Sequence, residues 1–185
     1  MNNALKMAAG TLVLLSALAA NATENMYTVI SGGFADSDFA DSSVDGASYK
    51  FALGHQFHPQ WYVEGGVQRI ADETVNDFGS TDALEGDAFF ISVLGKAGSR
   101  EGELYYRLGL LRADMKGYRN AESCVETPCS DLERYDDSVI AGVVGIGFDY
   151  YISLNSMIRL EVEHISGEDN LQVNAAYLGF RYNFN

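Results

Sequence analysis

The chain has 185 residues, with 12 Lys+Arg against 26 Asp+Glu, a formal net charge of −14, 2 Cys, 2 Pro and 19 Gly. That length fits one domain, the charge offers no basic face for nucleic acid, and 47% hydrophobic residues exceed what a disordered acidic chain carries. A mean hydropathy of −0.07 excludes a helical membrane protein but not a membrane barrel, whose strands alternate apolar and polar residues.

The N-terminus carries Lys6, then an apolar run from Met7 to Ala20, then small residues at Ala20 and Ala22 around Asn21. The run is shorter than the ~20 residues a spanning helix needs, and this order of charge, apolar stretch and A-x-A site reads as a secretory signal. Cleavage is expected between Ala22 and Thr23, leaving residues 23–185 as an exported barrel domain.

Beyond the leader the recurring pattern is alternation, and it recurs eight times. Met26–Phe34 is apolar and Gly-rich, with a period of two only in part. Tyr49, Phe51, Leu53 and Phe57 then oppose Lys50, Ala52, Gly54 and Gln56. Trp61, Val63 and Val67 oppose Glu64, Gly66 and Gln68, and Asp87–Ala97 follows with a weaker period. Leu104, Tyr106, Leu108 and Leu110 oppose Glu103, Tyr105, Arg107 and Gly109; Val139–Tyr150 is again apolar and Gly-rich. Ile158, Leu160 and Val162 oppose Arg159, Glu161 and Glu163. Ala176, Leu178, Phe180, Tyr182 and Phe184 oppose Tyr177, Gly179, Arg181 and Asn183. Segments of ~9–12 residues suit tilted strands that cross a bilayer.

The breaks alternate in size. His58–Gln60, Ser99–Gly102 and Ser153–Ser156 are short; Asp36–Ala47, Asp72–Gly86 and Lys116–Asp137 are long, with a smaller fourth at Gly167–Asn170. Short turns on one side and long loops on the other predict an all-β, eight-stranded, antiparallel, up-and-down transmembrane barrel. A soluble lipocalin-like barrel would put the apolar face inside. Three features favour apolar-out. Small residues accompany charges on the other face, aromatics gather at strand ends (Trp61, Tyr62, Tyr150, Tyr151, Tyr182, Phe184), and the chain stops on an apolar strand.

The stretches Trp61–Gly66, Leu104–Leu110, Ile158–Glu163 and Tyr177–Phe184 resemble the OmpA-type family of small eight-stranded outer-membrane barrels, the OmpX, Ail and AcfA type. The resemblance covers nearly the whole mature chain. It implies an integral protein of the Gram-negative outer membrane, with loops extracellular and termini periplasmic. It also implies assembly by the barrel-assembly machinery, contact with outer-membrane lipid and lipopolysaccharide, and a structural or adhesive role toward a host or matrix surface. The family ends on an aromatic residue, whereas here Asn185 follows Phe184, which predicts a weaker client of that machinery. A monomer without cofactor or resident metal is expected.

With the apolar face outward, the lumen receives Lys50, Glu64, Gln68, Lys96, Arg107, Arg159, Glu161, Glu163 and Arg181. Six of these (Glu64, Lys96, Arg107, Arg159, Glu161 and Arg181) fall at similar heights and are expected to pair as a structural plug, because an unpaired buried charge is costly. The family resemblance implies an alternative, a narrow channel gated by exchange of partners, with Glu64 and Arg107 as members. The four long connections, taken to Asp87 at the second and from Asp114 at the third, carry 19 of the 26 carboxylates. Asp36, Asp38, Asp41 and Asp45 offer oxygens to Ca²⁺, although their spacing matches no EF-hand loop. Cys124 and Cys129 are expected to form a disulfide in an oxidising compartment, shaping the third loop.

Of the three histidines, His55 and His58 fall near a membrane interface. His164-Ile165-Ser166 resembles part of the lipid A deacylase PagL, another eight-stranded barrel, which implies Ser166 as nucleophile and His164 as base. The residue after that motif is Gly167 where the deacylase has Asn, and the eighth segment has no lipid-facing Glu to orient the His. The expectation is therefore a barrel without enzymatic activity.

Overall fold

The computed structural model describes residues 25–39, 42–77, 80–120, 132–168 and 171–184; at 39, 42–44, 71–77, 80–85, 115–120 and 132–137 it describes backbone alone. The leader, Asp41, Cys124, Cys129 and Asn185 lie outside the described residues. Eight strands follow in order: β1 (Met26–Phe39), β2 (Ser42–His58), β3 (Trp61–Asp77), β4 (Ser80–Gly98), β5 (Gly102–Asn120), β6 (Leu132–Tyr151), β7 (Ser156–Gly167) and β8 (Gln172–Phe184). Each pairs antiparallel with its sequence neighbour, and β1 pairs with β8 from Met26↔Phe184 to Asp38↔Gln172, closing the barrel. Closure leaves no strand edge in the band that meets hydrocarbon, where an unpaired backbone group costs several kcal/mol.

The faces divide as the alternation predicts. Ile30, Phe34, Phe89, Leu108, Leu110, Ile140, Leu160, Leu178 and Phe180 stand on the exposed outer face. Lys50, Glu64, Arg107, Arg159, Glu161 and Arg181 are buried inside. On β8 the outer apolar run from Ala176 to Phe184 spans ~20 Å along the membrane normal at ~40° tilt, close to the ~25 Å band of outer-membrane barrels. Aromatics mark the short-turn end: Trp61 meets Tyr106 edge-on at 6.0 Å, and Tyr182 meets Phe184 at 5.7 Å.

The long connections are where the structure departs from the sequence reading. Most of Asp36–Ala47 and Asp72–Gly86, and both ends of Lys116–Asp137, are paired strand, with ladders running to Phe39↔Ser42, Asp77↔Ser80 and Asn120↔Leu132. Above the membrane both faces of a strand are polar, so the hydrophobic period vanishes while backbone pairing continues. The rim is consequently uneven. The β2–β3 ladder stops at Tyr49↔Arg69 and the β6–β7 ladder at Ala141↔Gly167. Beyond those points β3, β4, β5 and β6 continue as a four-stranded sheet, and among the described residues its edges on β3 and β6 have no further strand partner, Glu168 N–H reaching only Ile140 O at 3.3 Å.

In three of the cross-strand tyrosine–glycine pairs the ring lies over the glycine: Tyr27↔Gly54, Tyr105↔Gly147 and Tyr106↔Gly95. A Cβ at Gly54 would lie 2.1 Å from Tyr27 Cζ, and one at Gly147 would lie 2.4 Å from Tyr105 Cζ. The missing side chain lets the ring lie flat on the neighbouring strand, the device by which aromatics cover glycines in sheets. Tyr27 has no room to yield: its hydroxyl donates to Glu64 Oε1 at 2.9 Å and Arg181 lies 3.9 Å over its ring. Gly54→Ala is therefore expected to cost about 1–3 kcal/mol in urea unfolding from lipid vesicles. Gly32→Ala, with nothing within 4 Å of the added carbon, serves as the control and should change little.

Candidate functional site

The lumen of the half nearer the short turns is a continuous ion-pair network. Arg159, on β7, forks onto Asp149 of β6, with Nε 2.7 Å from Oδ1 and Nη2 2.9 Å from Oδ2, while Nη1 donates to Glu64 Oε1 at 2.7 Å. Arg107, on β5, donates to the other oxygen of Glu64 at 2.5 Å and to both oxygens of Glu161 at 2.5 and 3.3 Å. Lys50, on β2, lies 3.6 Å from Glu161 and 2.5 Å from Glu163, which also accepts from Gln68 at 3.0 Å. Toward the turns Lys96 and Arg181 converge on Asp149 Oδ2 at 2.7 and 2.8 Å, and both also reach Glu103 Oε2, at 3.2 and 2.8 Å.

Five cations and five carboxylates are thus joined across seven strands, β2 to β8, and their formal charges cancel. Aromatic faces fill the space between them. Lys96 sits 4.5 Å over Tyr62, Arg159 4.7 Å over Tyr105 and Lys50 4.4 Å over Tyr177, contacts that favour a desolvated cation. Arg107 Nη1 and the Tyr105 hydroxyl are buried and have no hydrogen-bond partner among the described residues.

The other half of the lumen, toward the hairpins, is built differently. Ala35, Ile70, Ala88, Leu111, Ala113, Val139, Ala141, Val143, Ile165, Leu171 and Val173 are buried there and form part of one hydrophobic cluster. Ser37 and Ser48 supply the polar exceptions, donating to the backbone carbonyls of Ile70 and Arg69. The interior is therefore closed twice, by charge toward the turns and by hydrocarbon toward the hairpins.

All the residues singled out for the lumen point inward, and Lys50, Glu64, Lys96, Arg107, Arg159, Glu161 and Arg181 join one network. Sequence reasoning missed Asp149, the acceptor of three cations, and Glu103. Asp149 sits in the Gly-rich segment where the period of two is blurred, but Gly145, Gly147 and Asp149 share a face, and that was the available signal. The apolar tier was missed because Val139, Ala141 and Val143 lie in a segment apolar on both faces, so hydropathy alone does not say which face turns inward.

On the outer face, His164 Nδ1 lies 2.8 Å from Asn174 Oδ1, its cross-strand partner. The imidazole is oriented by an amide rather than a carboxylate, and among the described residues no hydrogen bond joins His164 to Ser166. Asp36, Asp38 and Asp45 are on exposed strand faces, and the described residues contain no group of three or more side chains able to hold a metal ion.

An inside-out barrel with a salt-bridged interior and an aromatic-edged apolar band is a transmembrane barrel of the outer-membrane class. Residues 7–184 match the model of the outer membrane protein beta-barrel domain, and the chain belongs to that family. Among solved structures it is similar to Neisserial surface protein A, with 12% identity, 85% of this chain and 96% of that one covered, and a TM-score of 0.62. The N-terminal barrel of Pseudomonas aeruginosa OprF matches with 12% identity over 86% and 98% of the two chains, at 0.60. Ail of Yersinia pestis, the attachment invasion locus protein, matches with 17% identity over 86% and 99%, at 0.52. No curated protein matches the sequence.

Arg159→Met strips Asp149 and Glu64 of their shared partner and is expected to destabilise the barrel by about 3–5 kcal/mol. Adding Asp149→Asn should cost less than the two single effects summed, since the pair acts as a unit. Urea titration of the folded, heat-modifiable gel band measures all three variants, and strict additivity would separate the two residues energetically.

Proposed function

We propose that this chain is a sealed display barrel of the outer membrane, with its hairpins outside the cell, its termini in the periplasm, and its role exerted by the β3–β6 sheet on a host or matrix surface. The observation that carries this reading is the contrast between a doubly closed lumen and a sheet whose two edges have no strand partner among the described residues. A sheet edge offers a row of free backbone donors and acceptors to an extended partner strand, which is the usual mode of strand addition. The carboxylates concentrated in this half of the chain select a basic partner and steer its approach. The name of the Yersinia pestis neighbour associates the same architecture with attachment. The protein acts as a monomer, placed in the membrane by the barrel-assembly machinery.

Cells displaying the protein should bind a surface coated with a basic peptide more strongly than one coated with an acidic peptide, and the binding should weaken as salt rises. Replacing residues 115–137 with a two-residue turn should abolish binding while the barrel still shifts on heating. Binding that survives this replacement would place the contact elsewhere.

The gated-channel alternative loses support from the apolar tier: exchanging salt-bridge partners opens only the half nearer the turns, and the hydrocarbon layer above still excludes ions. Planar bilayers containing wild type or Glu64→Ala are expected to show no unitary conductance. The hydrolase alternative is favoured only by the His164–Asn174 contact. Lipid A from cells expressing wild type or Ser166→Ala is expected to carry the same acyl chains by mass spectrometry.

A further inference from the structure

On the outer wall one charged side chain stands where the alternation calls for an apolar one. Ile140, Arg112, Phe89, Val67, Phe51 and Ile30 are successive cross-strand partners at outward positions from β6 round to β1, and each but Arg112 is apolar. The same row continues through Phe180 and Ile158 to Tyr150, at the short-turn end of β6. It therefore climbs as it circles the barrel, and Arg112 lies next to its upper end, on the hairpin side of the apolar band. A cation on a lipid-facing wall is expensive at mid-depth and tolerated near the interface, where its side chain reaches the head groups.

Arg112 extends that way. Its Nε donates to Ser138 Oγ at 2.8 Å and lies 3.8 Å from Asp114 Oδ1, and Asp114 and Ser138 are partners in the next row toward the hairpins. Among the described residues neither Nη group has a hydrogen-bond partner, and the side chain is 68% exposed. The other acid of that next row, Asp87, is taken by the fork of Arg69 at 2.8 and 3.0 Å, so it does not repel an anion brought to Arg112. The opposite wall is built differently. There Asp45, Asp36, Asn174 and His164 are successive outward partners, with two carboxylates and no Lys or Arg among them.

We infer that the wall formed by β4, β5 and β6 seats one lipopolysaccharide molecule, with a lipid A phosphate accepting from the Nη groups of Arg112 and an acyl chain lying against Phe89 and Ile140. This rests on the orientation proposed above, which puts Arg112 in the outer leaflet, where the lipid head is a phosphorylated sugar. The planar guanidinium presents paired donors that match phosphate oxygens. Phe89 and Ile140 flank it, exposed, and offer apolar contact to the same molecule. Asp36 and Asp45 turn a phosphate away from the other wall, so the lipid is held on the side from which the β3–β6 sheet rises.

The test uses the full barrel in phosphatidylglycerol nanodiscs that carry equal amounts of diphosphoryl lipid A and the same lipid A stripped of phosphate. The barrel is released into mild detergent and weighed by native mass spectrometry. Wild type should retain the phosphorylated form over the stripped form by about tenfold, as one charge-assisted contact supplies. Arg112→Gln, at an exposed position, should hold the two forms equally, whereas Arg112→Lys should keep a preference. Arg100→Gln, which removes an exposed cation at the short-turn end, should match wild type. Equal retention by wild type, an unchanged preference in Arg112→Gln, or phosphatidylglycerol held in place of lipid A would overturn the inference. Protease added to intact cells should cut the hairpins; hairpins left whole would overturn the orientation itself, a failure distinct from a missing phosphate preference.

Discussion

Everything in this molecule follows from wrapping a sheet of eight strands around a space too narrow for water to solvate charge. Hydrocarbon outside requires apolar outward residues, so the polar half of each alternation is forced inward, and the inward charges must solvate one another. They do so by sharing: Asp149 accepts from Lys96, Arg159 and Arg181, and Glu64 is shared between Arg107 and Arg159. Room for the long side chains is made by glycine. Gly54 and Gly147 give up their own volume so that Tyr27 and Tyr105 can lie flat and the guanidinium groups can stack above them.

The two closures of the lumen differ in physical kind. A salt-bridge layer can in principle rearrange, because each carboxylate has a choice of cations a few ångströms away. A hydrocarbon layer of Ile70, Leu111, Val139, Ile165, Leu171 and Val173 has no alternative pairing to exchange into, and opening it means exposing apolar surface. In series, rearranging the first leaves the second in place. That arrangement moves attention from the axis of the barrel to its outer surfaces, the hairpin sheet above the membrane and the wall within it.

Much of this was legible in the sequence, and the limits have physical causes. The alternation around Leu104–Leu110 or Tyr177–Phe184 reports a strand with hydrocarbon on one side, and it identified barrel, strand number and the inward residues Glu64, Arg107, Arg159 and Arg181. It reports nothing once both faces meet water, so Asp72–Asp77 and Lys116–Asn120 read as loop although they are ladder. It is equally silent where both faces are apolar, which hid the tier built on Val139 and Val143. The pairing of Asp36 with Asp45, and of His164 with Asn174, depends on register between strands, which no single strand encodes. Which carboxylate meets which cation is likewise a property of the closed cylinder.

The seam between β1 and β8 gives that closure a temporal meaning. Through β7 the lumen contributes five carboxylates but only four cations, Lys50, Lys96, Arg107 and Arg159; the fifth, Arg181, arrives on β8. An unzipped intermediate therefore carries one uncompensated negative charge facing Asp149 and Glu103, and the last strand brings its counterion together with the last row of hydrogen bonds. Docking β8 two residues out of step would leave the apolar pattern intact but set Gly179 or Asn183 where Arg181 belongs. The interior electrostatics thus discriminate between registers that the lipid-facing surface cannot tell apart, and the finished barrel is distinguished from its near misses by neutrality.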